Sequence, residues 1–199
     1  YKKEGSKDTH VIISNDADVV VITTIIEPKN ILVGLKTKKG IDVLDIDKFR
    51  QGFNNTTGHK TSHIDFGLLA IMMGNDYLPK LSFATFDKLL SCYMDSIKMH
   101  KNGLVVNNKI NMIFLKHLFS KIILSTPKHF IKQFHFESFN SKQYNEYING
   151  LIWCYDTYSK GICTRIDYIY HYKSPHPLGL YYYISTHIDS IDAPIEQNN

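Results

Sequence analysis

The stretch Val11-Ile-Ile-Ser-Asn-Asp-Ala-Asp-Val-Val-Val-Ile22 decides how the fold is predicted. It holds two short apolar runs, rich in β-branched residues, on either side of a polar segment. Runs of this kind predict strands that are buried on both faces, as in a parallel sheet covered by helices. Asp16 and Asp18 lie between the two runs, and ligands of open α/β sheets collect at the carboxyl ends of strands. The sequence therefore predicts an α/β fold with an acidic pair at one edge of its sheet.

Two interpretations of Asp16 and Asp18 are open at this point. Two carboxylates separated by one residue repel each other unless a cation or hydrogen-bond donors offset the charge, and a divalent metal would do so. The alternative is a loop in which Asn and Asp side chains bond to their own backbone and cap the next helix. Asp-x-Asp is a short pattern that often occurs by chance, so it does not decide between them.

A second acidic motif, Gly74-Asn-Asp-Tyr-Leu-Pro79, favours the metal interpretation. In this motif, Asp76 lies in a turn that follows the end of an apolar helix and ends at Pro79. A carboxylate in such a position needs a compensating partner if it is buried.

Composition limits the class of protein. The chain has 199 residues, 43% of them hydrophobic, which is enough for a packed core in one large domain or in a segment of a longer chain. It has no apolar run of about eighteen residues, so neither a membrane span nor a signal peptide is predicted. The three cysteines lack the spacing of a zinc site and indicate an intracellular setting, cytoplasmic or nuclear. The net charge of +4 is compatible with binding to nucleic acid.

Apolar periodicity predicts the remaining elements. Further strands are expected at 31–35 and 41–46, with Asp47 capping the helix that follows. The expected helices cover 64–73, 83–99, 111–124 and 141–158. Gly161 is expected to end the last of them, and Asp65 to stabilise the amino-terminal dipole of the first.

Four ordered motifs together resemble one family. They are Ser14-Asn-Asp-Ala-Asp-Val19, Gly74-Asn-Asp-Tyr-Leu-Pro79, Asn149-Gly-Leu-Ile-Trp153 and Tyr168-x-Tyr-His-Tyr-x-x-Pro175. Their order and approximate spacing are similar to those of Xrn-type 5′-to-3′ exoribonucleases, up to about Pro177. The resemblance implies a PIN-like or flap-endonuclease-like α/β core with a parallel sheet. Residues 1–80 would form the carboxyl-terminal part of that core, and residues 81–199 a helical, aromatic-rich extension of the same nuclease domain.

The resemblance also implies a site and a reaction. It assigns the catalytic, metal-binding carboxylates to Asp16, Asp18 and Asp76. It assigns contacts with single-stranded RNA to Tyr170, His171 and Tyr172. Carboxylate oxygens suit Mg²⁺ or Mn²⁺, and two such ions about 4 Å apart can activate a water and stabilise the leaving oxygen of a phosphodiester. The expected activity is hydrolysis of RNA from a 5′-monophosphate end.

The sequence departs from the family in several places. In the family, further carboxylates and the basic helix that reads the 5′-monophosphate come from an amino-terminal segment, and they are absent here, so such a nuclease segment is expected as a partner and the chain alone should cleave little. The family's Trp-x-Trp is replaced by Thr164-Arg165-Ile166, which weakens the case for stacking there. Ile169 replaces a Pro, and Lys80 stands where a His is common.

Two other functions remain as alternatives. A flap-type structure-specific endonuclease shares both acidic motifs, but its glycine-rich DNA clamp has no counterpart in Leu78–Phe83. A non-catalytic RNA-binding module with the same fold would have little use for three clustered carboxylates.

Overall fold

The computed structural model describes residues 8–26, 28–60, 62–100 and 102–191, which contain five strands, eight α-helices and one short 3₁₀ helix at Phe136–Ser138. The strands are β1 (His10–Ile13), β2 (Ile31–Thr37), β3 (Gly40–Asp45), β4 (Val105–Val106) and β5 (Lys109–Ile110). The helices are α1 (Ala17–Ile25), α2 (Ile46–Thr57), α3 (Ser62–Met72), α4 (Phe86–Ile97), α5 (Met112–Ser125), α6 (Lys128–Ile131), α7 (Ser141–Lys160) and α8 (Pro177–Ile191). The α/β class is therefore confirmed.

The prediction for the second half of the stretch Val11–Ile22 is wrong, because this segment is helical. Only the first apolar run forms a strand, and the second lies in α1. Asp16 caps α1, and the hydroxyls of Thr23 and Thr24 donate to carbonyls one turn earlier at 2.7 Å. This helix is apolar on almost every side, since it packs against both the sheet and the other helices. Burial therefore outweighs the strand preference of its β-branched residues.

The main sheet is mixed, with β1 parallel to β2 and β2 antiparallel to β3. The inner face of the sheet packs against α1 and α2. On this face, Ile31 and Val33 of β2 form a buried cluster with Ile46 of α2. The register places four aliphatic side chains on the outer face, around Gly34, and all are more than half exposed: Val11, Ile13, Ile41 and Val43. Burial of β1 on both faces is therefore not observed within the described residues.

The predicted helices are confirmed with small shifts at their ends. Gly161 ends α7 in the left-handed conformation with φ +67°. Asp45, rather than Asp47, caps α2 by accepting from the Lys48 amide at 3.1 Å. Helix α8 was not among the helices predicted from the apolar periodicity. No helix within the described ranges has the length and apolar character needed to cross a bilayer.

One hydrophobic core joins α1 and α3 to α4, α5, α7 and α8, so it contains residues from both sides of position 80. Asp65 is buried within it, at 1% exposure, and accepts hydrogen bonds from the Tyr93 hydroxyl at 2.7 Å and from the Leu104 and Val105 amides at 2.9 and 2.8 Å. Burial raises the pKa of the Asp65 carboxyl, while these hydrogen bonds act in the opposite direction. Asp65 therefore connects α3 to α4 and to β4, in addition to its place in the first turn of α3.

Candidate functional site

The first acidic motif forms the loop between β1 and α1. The Asp16 side chain accepts a hydrogen bond from the Asp18 amide at 2.9 Å, and the Asp16 amide donates to Ser14 Oγ at 3.1 Å. Asp16 is exposed and Asp18 is half-buried. The capping role that the sequence left open is thus present, and it uses only one carboxylate oxygen of Asp16.

A hydrogen-bonded chain joins the two acidic motifs through α7. The Tyr158 hydroxyl donates to Asp18 Oδ2 at 2.5 Å and accepts from Asn75 Nδ2 at 3.2 Å. Burial first, and then the bond to Asp18, raise the pKa of Tyr158, so the phenol remains a donor at neutral pH. The first turn of α1 and the turn after α3 are therefore held against the same side chain.

The second acidic motif is a tight turn built around Asn75. Asn75 Oδ1 accepts from the amides of Tyr77 and Leu78 at 3.0 and 2.8 Å. Gly74 has φ +94°, and a Cβ there would lie 2.9 Å from the Lys80 nitrogen, so the turn requires glycine. Asp76 is exposed and forms no hydrogen bond or ion pair within the described residues. Its carboxylate is therefore available to solvent or to a ligand.

Aromatic contacts join the second, third and fourth motifs. Tyr77 packs edge-on against Trp153 at 5.0 Å, and Trp153 stacks on Tyr168 at 4.8 Å. Helix α7 approaches these residues closely, because a Cβ on Gly150 would clash with the Tyr168 hydroxyl and lie 2.6 Å from Leu78. All four motifs are therefore neighbours in space.

The predicted substrate residues lie in the segment that leads to α8. Tyr170 is half-buried, packs edge-on against Tyr147 at 5.8 Å, and donates its hydroxyl to the Lys173 carbonyl at 3.2 Å. Tyr172 contacts Tyr170 at 5.6 Å, and His171 is exposed. Tyr170 thus has a packing role, whereas the His171 ring is open to solvent.

The geometry brings the two acidic motifs into one region, through Asn75, Tyr158 and Asp18, without forming a complete metal site. Within the described part of the chain, no group of three or more His, Cys, Asp and Glu side chains is arranged to hold a metal. The donor chemistry fits a hard divalent cation, since Asp16 and Asp18 each keep one carboxylate oxygen free of the hydrogen bonds above. Metal binding by Asp16, Asp18 and Asp76 stays a prediction.

Two residues of the site, Asn75 and Tyr158, were not singled out for function from the sequence. The signal for Tyr158 was its position at the end of the buried stripe of α7, where a phenol brings a polar atom to the edge of the core. The signal for Asn75 was its place directly after the Gly74 turn. Neither signal indicates the partner, because Tyr158 and Asp18 are 140 positions apart.

The comparisons with known proteins do not add a family. No family model matches the sequence, and no curated protein is significantly similar to it. The four motifs and the contacts between them are therefore the features that indicate a function.

Proposed function

We propose that the chain is part of a PIN-like nuclease core and takes part in metal-dependent 5′-to-3′ hydrolysis of RNA. The observation that carries this proposal is the hydrogen-bonded chain from Asp18 through Tyr158 to Asn75. It brings together two acidic motifs that are distant in sequence, and the aromatic contacts add the other two motifs of the resemblance. Chance matches to four short patterns would have no reason to meet in space.

The roles of the residues follow from their chemistry. Asp16, Asp18 and Asp76 would hold Mg²⁺ or Mn²⁺ through carboxylate oxygens that the fold leaves open. When bound, two such ions supply charge that activates the attacking water and stabilises the leaving oxygen. Tyr158 fixes the orientation of the Asp18 carboxylate, as hydrogen-bonding partners of metal ligands commonly do. His171 is the exposed member of the predicted RNA-contacting group.

Three carboxylates are few for two cations, which usually take six or more oxygen ligands each. We therefore propose that further ligands come from an amino-terminal nuclease segment, as the resemblance implies. The three free cysteines, including exposed Cys163, are in keeping with a reduced intracellular compartment.

A degradation assay tests the proposal. The chain is assayed with and without an amino-terminal segment that carries the further carboxylates, on 5′-monophosphorylated, 5′-hydroxyl and circular RNA, in Mg²⁺ or EDTA. We expect Mg²⁺-dependent release of mononucleotides from the 5′-monophosphorylated RNA, and no release from the 5′-hydroxyl or circular RNA. Asp76→Asn should abolish it, whereas Asp42→Asn, an exposed carboxylate on β3, should not.

Two outcomes would contradict the proposal. Cleavage of circular RNA would show attack at internal sites and favour the flap-type alternative. RNA binding without cleavage, unchanged by Asp76→Asn, would favour the non-catalytic RNA-binding module.

A further inference from the structure

An open cleft of about 610 Å³ lies between the carboxyl end of α1, helix α2 and the start of α3. Its lining includes Lys29, Arg50, Lys60 and His63. The acidic motif lies at the other end of α1, which has nine residues and is therefore about 13 Å long. The cleft is thus distinct from the candidate metal site.

The Arg50 guanidinium forms one wall of the cleft, and all of its N–H groups are bonded to other parts of the protein. Its five N–H groups donate to the carbonyls of Thr23, Thr24, Ile26 and Pro28 and to the Asp47 carboxylate. Asp47 is the one acidic residue among the described residues of the lining, and it pairs with Arg50 at 3.2 Å. Arg50 and Asp47 therefore neutralise each other, and the remaining charge of the cleft comes from other residues.

Among the described residues of the lining, Lys29 and Lys60 leave an excess of positive charge. Both side chains line it, both residues are exposed, and neither forms an ion pair in the part of the chain that the structure describes. Burial and the nearby Arg50 charge lower the pKa of His63, so this ring is neutral at physiological pH and can accept or donate one hydrogen bond. Two unpaired ammonium groups at one cleft favour an anion with several oxygens, such as a phosphate.

The other polar groups of the lining are suited to an organic ligand. Gln51 and Asn55 are exposed, and among the described residues their carboxamides make no hydrogen bond. A carboxamide pairs a donor with an acceptor, which matches the edge of a nucleobase. Ile26 adds an apolar surface. The volume lies within the range of about 300–1,000 Å³ that is usual for small-molecule sites.

We propose that this cleft binds a nucleoside phosphate, with Lys29 and Lys60 on the phosphate and Gln51 and Asn55 on the base. The ligand is either a free mononucleotide or one nucleotide of an RNA strand, since both present the same groups. The proposal does not depend on the nuclease function, because none of these residues belongs to the acidic motifs.

Calorimetric titration tests the proposal with the same chain in EDTA, so that the metal site plays no part. The probes are AMP, adenosine, inorganic phosphate and a five-nucleotide RNA with a 5′-hydroxyl. We expect AMP or the RNA to bind measurably and adenosine and phosphate to bind at least tenfold more weakly. Tighter binding of AMP identifies a free nucleotide as the ligand, and tighter binding of RNA identifies a strand.

Paired variants locate the binding. Lys29→Ala with Lys60→Ala should weaken it about tenfold, because each exposed contact with a phosphate contributes up to about 1 kcal/mol and 1.4 kcal/mol is a factor of ten. Lys38→Ala with Lys39→Ala removes the same charge from the exposed turn between β2 and β3 and should leave binding unchanged. Gln51→Ala with Asn55→Ala should reduce the preference for AMP over phosphate.

The proposal is overturned if no probe binds, or if phosphate binds as tightly as AMP. It is also overturned if both lysine pairs have the same effect, since that would show a general response to charge. All substituted positions are exposed, and circular dichroism of each variant checks that the fold is retained.

Discussion

Tyr158 and Asp18, 140 positions apart in sequence, share a hydrogen bond of 2.5 Å between the phenol and one carboxylate oxygen. The same phenol accepts from Asn75, so a single side chain of α7 holds the two acidic motifs together. The Tyr158 phenol is protonated at physiological pH and can donate to Asp18 there, and burial raises its pKa further. The position of Asp18 is thus set by a residue that would not itself bind a cation.

Removing this hydroxyl tests the positioning role. Tyr158→Phe should weaken binding of Mn²⁺ about 10- to 100-fold, the usual effect of losing a residue that orients a metal ligand. Paramagnetic resonance of Mn²⁺ measures the affinity in the chain joined to an amino-terminal segment that carries the further carboxylates. Tyr183→Phe is the matched control, because the Tyr183 hydroxyl bonds to Asn145, which lies outside the four motifs. Equal affinities in both variants would contradict the role.

Two substitutions at Asp16 separate its capping role from metal binding. Asn is as good a helix cap as Asp, so Asp16→Asn should keep the stability of the wild type and lose Mg²⁺-dependent cleavage. Asp16→Ala should lose cleavage and also about 0.5–2 kcal/mol of unfolding free energy. Urea unfolding and the RNA assay measure the two effects. Full activity of Asp16→Asn would leave Asp16 with the capping role alone.

Asp65 is expected to matter for stability. In Asp65→Asn, the side-chain NH₂ would replace one of the two carboxylate oxygens. This NH₂ would face a hydrogen-bond donor, so a buried polar group would lose its partner. We expect a loss of about 1–3 kcal/mol in urea unfolding. Asp87→Asn, at an exposed position in the first turn of α4, should change stability by less than about 0.5 kcal/mol. A loss no larger than that of the control would show that the buried carboxylate is dispensable.

His176 is expected to make stability depend on pH. Its Nδ1 accepts from the Leu178 amide at 3.1 Å at the start of α8, and its Nε2 faces the Phe130 carbonyl at 3.4 Å, so the ring is neutral in the fold. Burial lowers the pKa of His176 below 6.5. The unfolded chain therefore binds more protons than the folded chain below about pH 6.5, and stability falls as the pH falls through this range.

Thermal unfolding at pH 7.5 and pH 5.5 measures the effect of His176. His176→Asn keeps an acceptor for the Leu178 amide and does not titrate, so its midpoint should fall less between the two pH values. His171→Asn is the control, because this ring is exposed and should leave the pH dependence unchanged. An unaltered pH dependence in His176→Asn would show that other groups cause it.

The sequence predicted those features that depend on local chemistry. The α3, α4, α5 and α7 helices follow from their apolar periodicity, and Gly161 ends α7 because glycine adopts the left-handed conformation readily. The strands β2 and β3 follow from β-branched runs bounded by turn residues. The two acidic motifs were likewise found as the polar breaks between apolar elements.

Features that depend on tertiary contacts were not predicted. A short run such as Val19–Ile22 has the composition of a buried strand, and only its burial against both sheet and helices makes it helical. Asp65 was expected to act on the helix dipole, because the donors at Tyr93, Leu104 and Val105 come from distant elements. Long-range pairs of this kind leave no local pattern in the sequence.

The four aliphatic side chains around Gly34 have a practical consequence for handling the purified chain. The side chains of Val11 and Ile13 on β1 and of Ile41 and Val43 on β3 form an exposed apolar strip across the outer face of the sheet, and such surfaces promote self-association. Ammonium sulfate, which strengthens apolar attraction, should precipitate the chain at modest concentration. A lysine introduced through Val43→Lys should delay precipitation, so the colloidal behaviour of the protein depends on this strip.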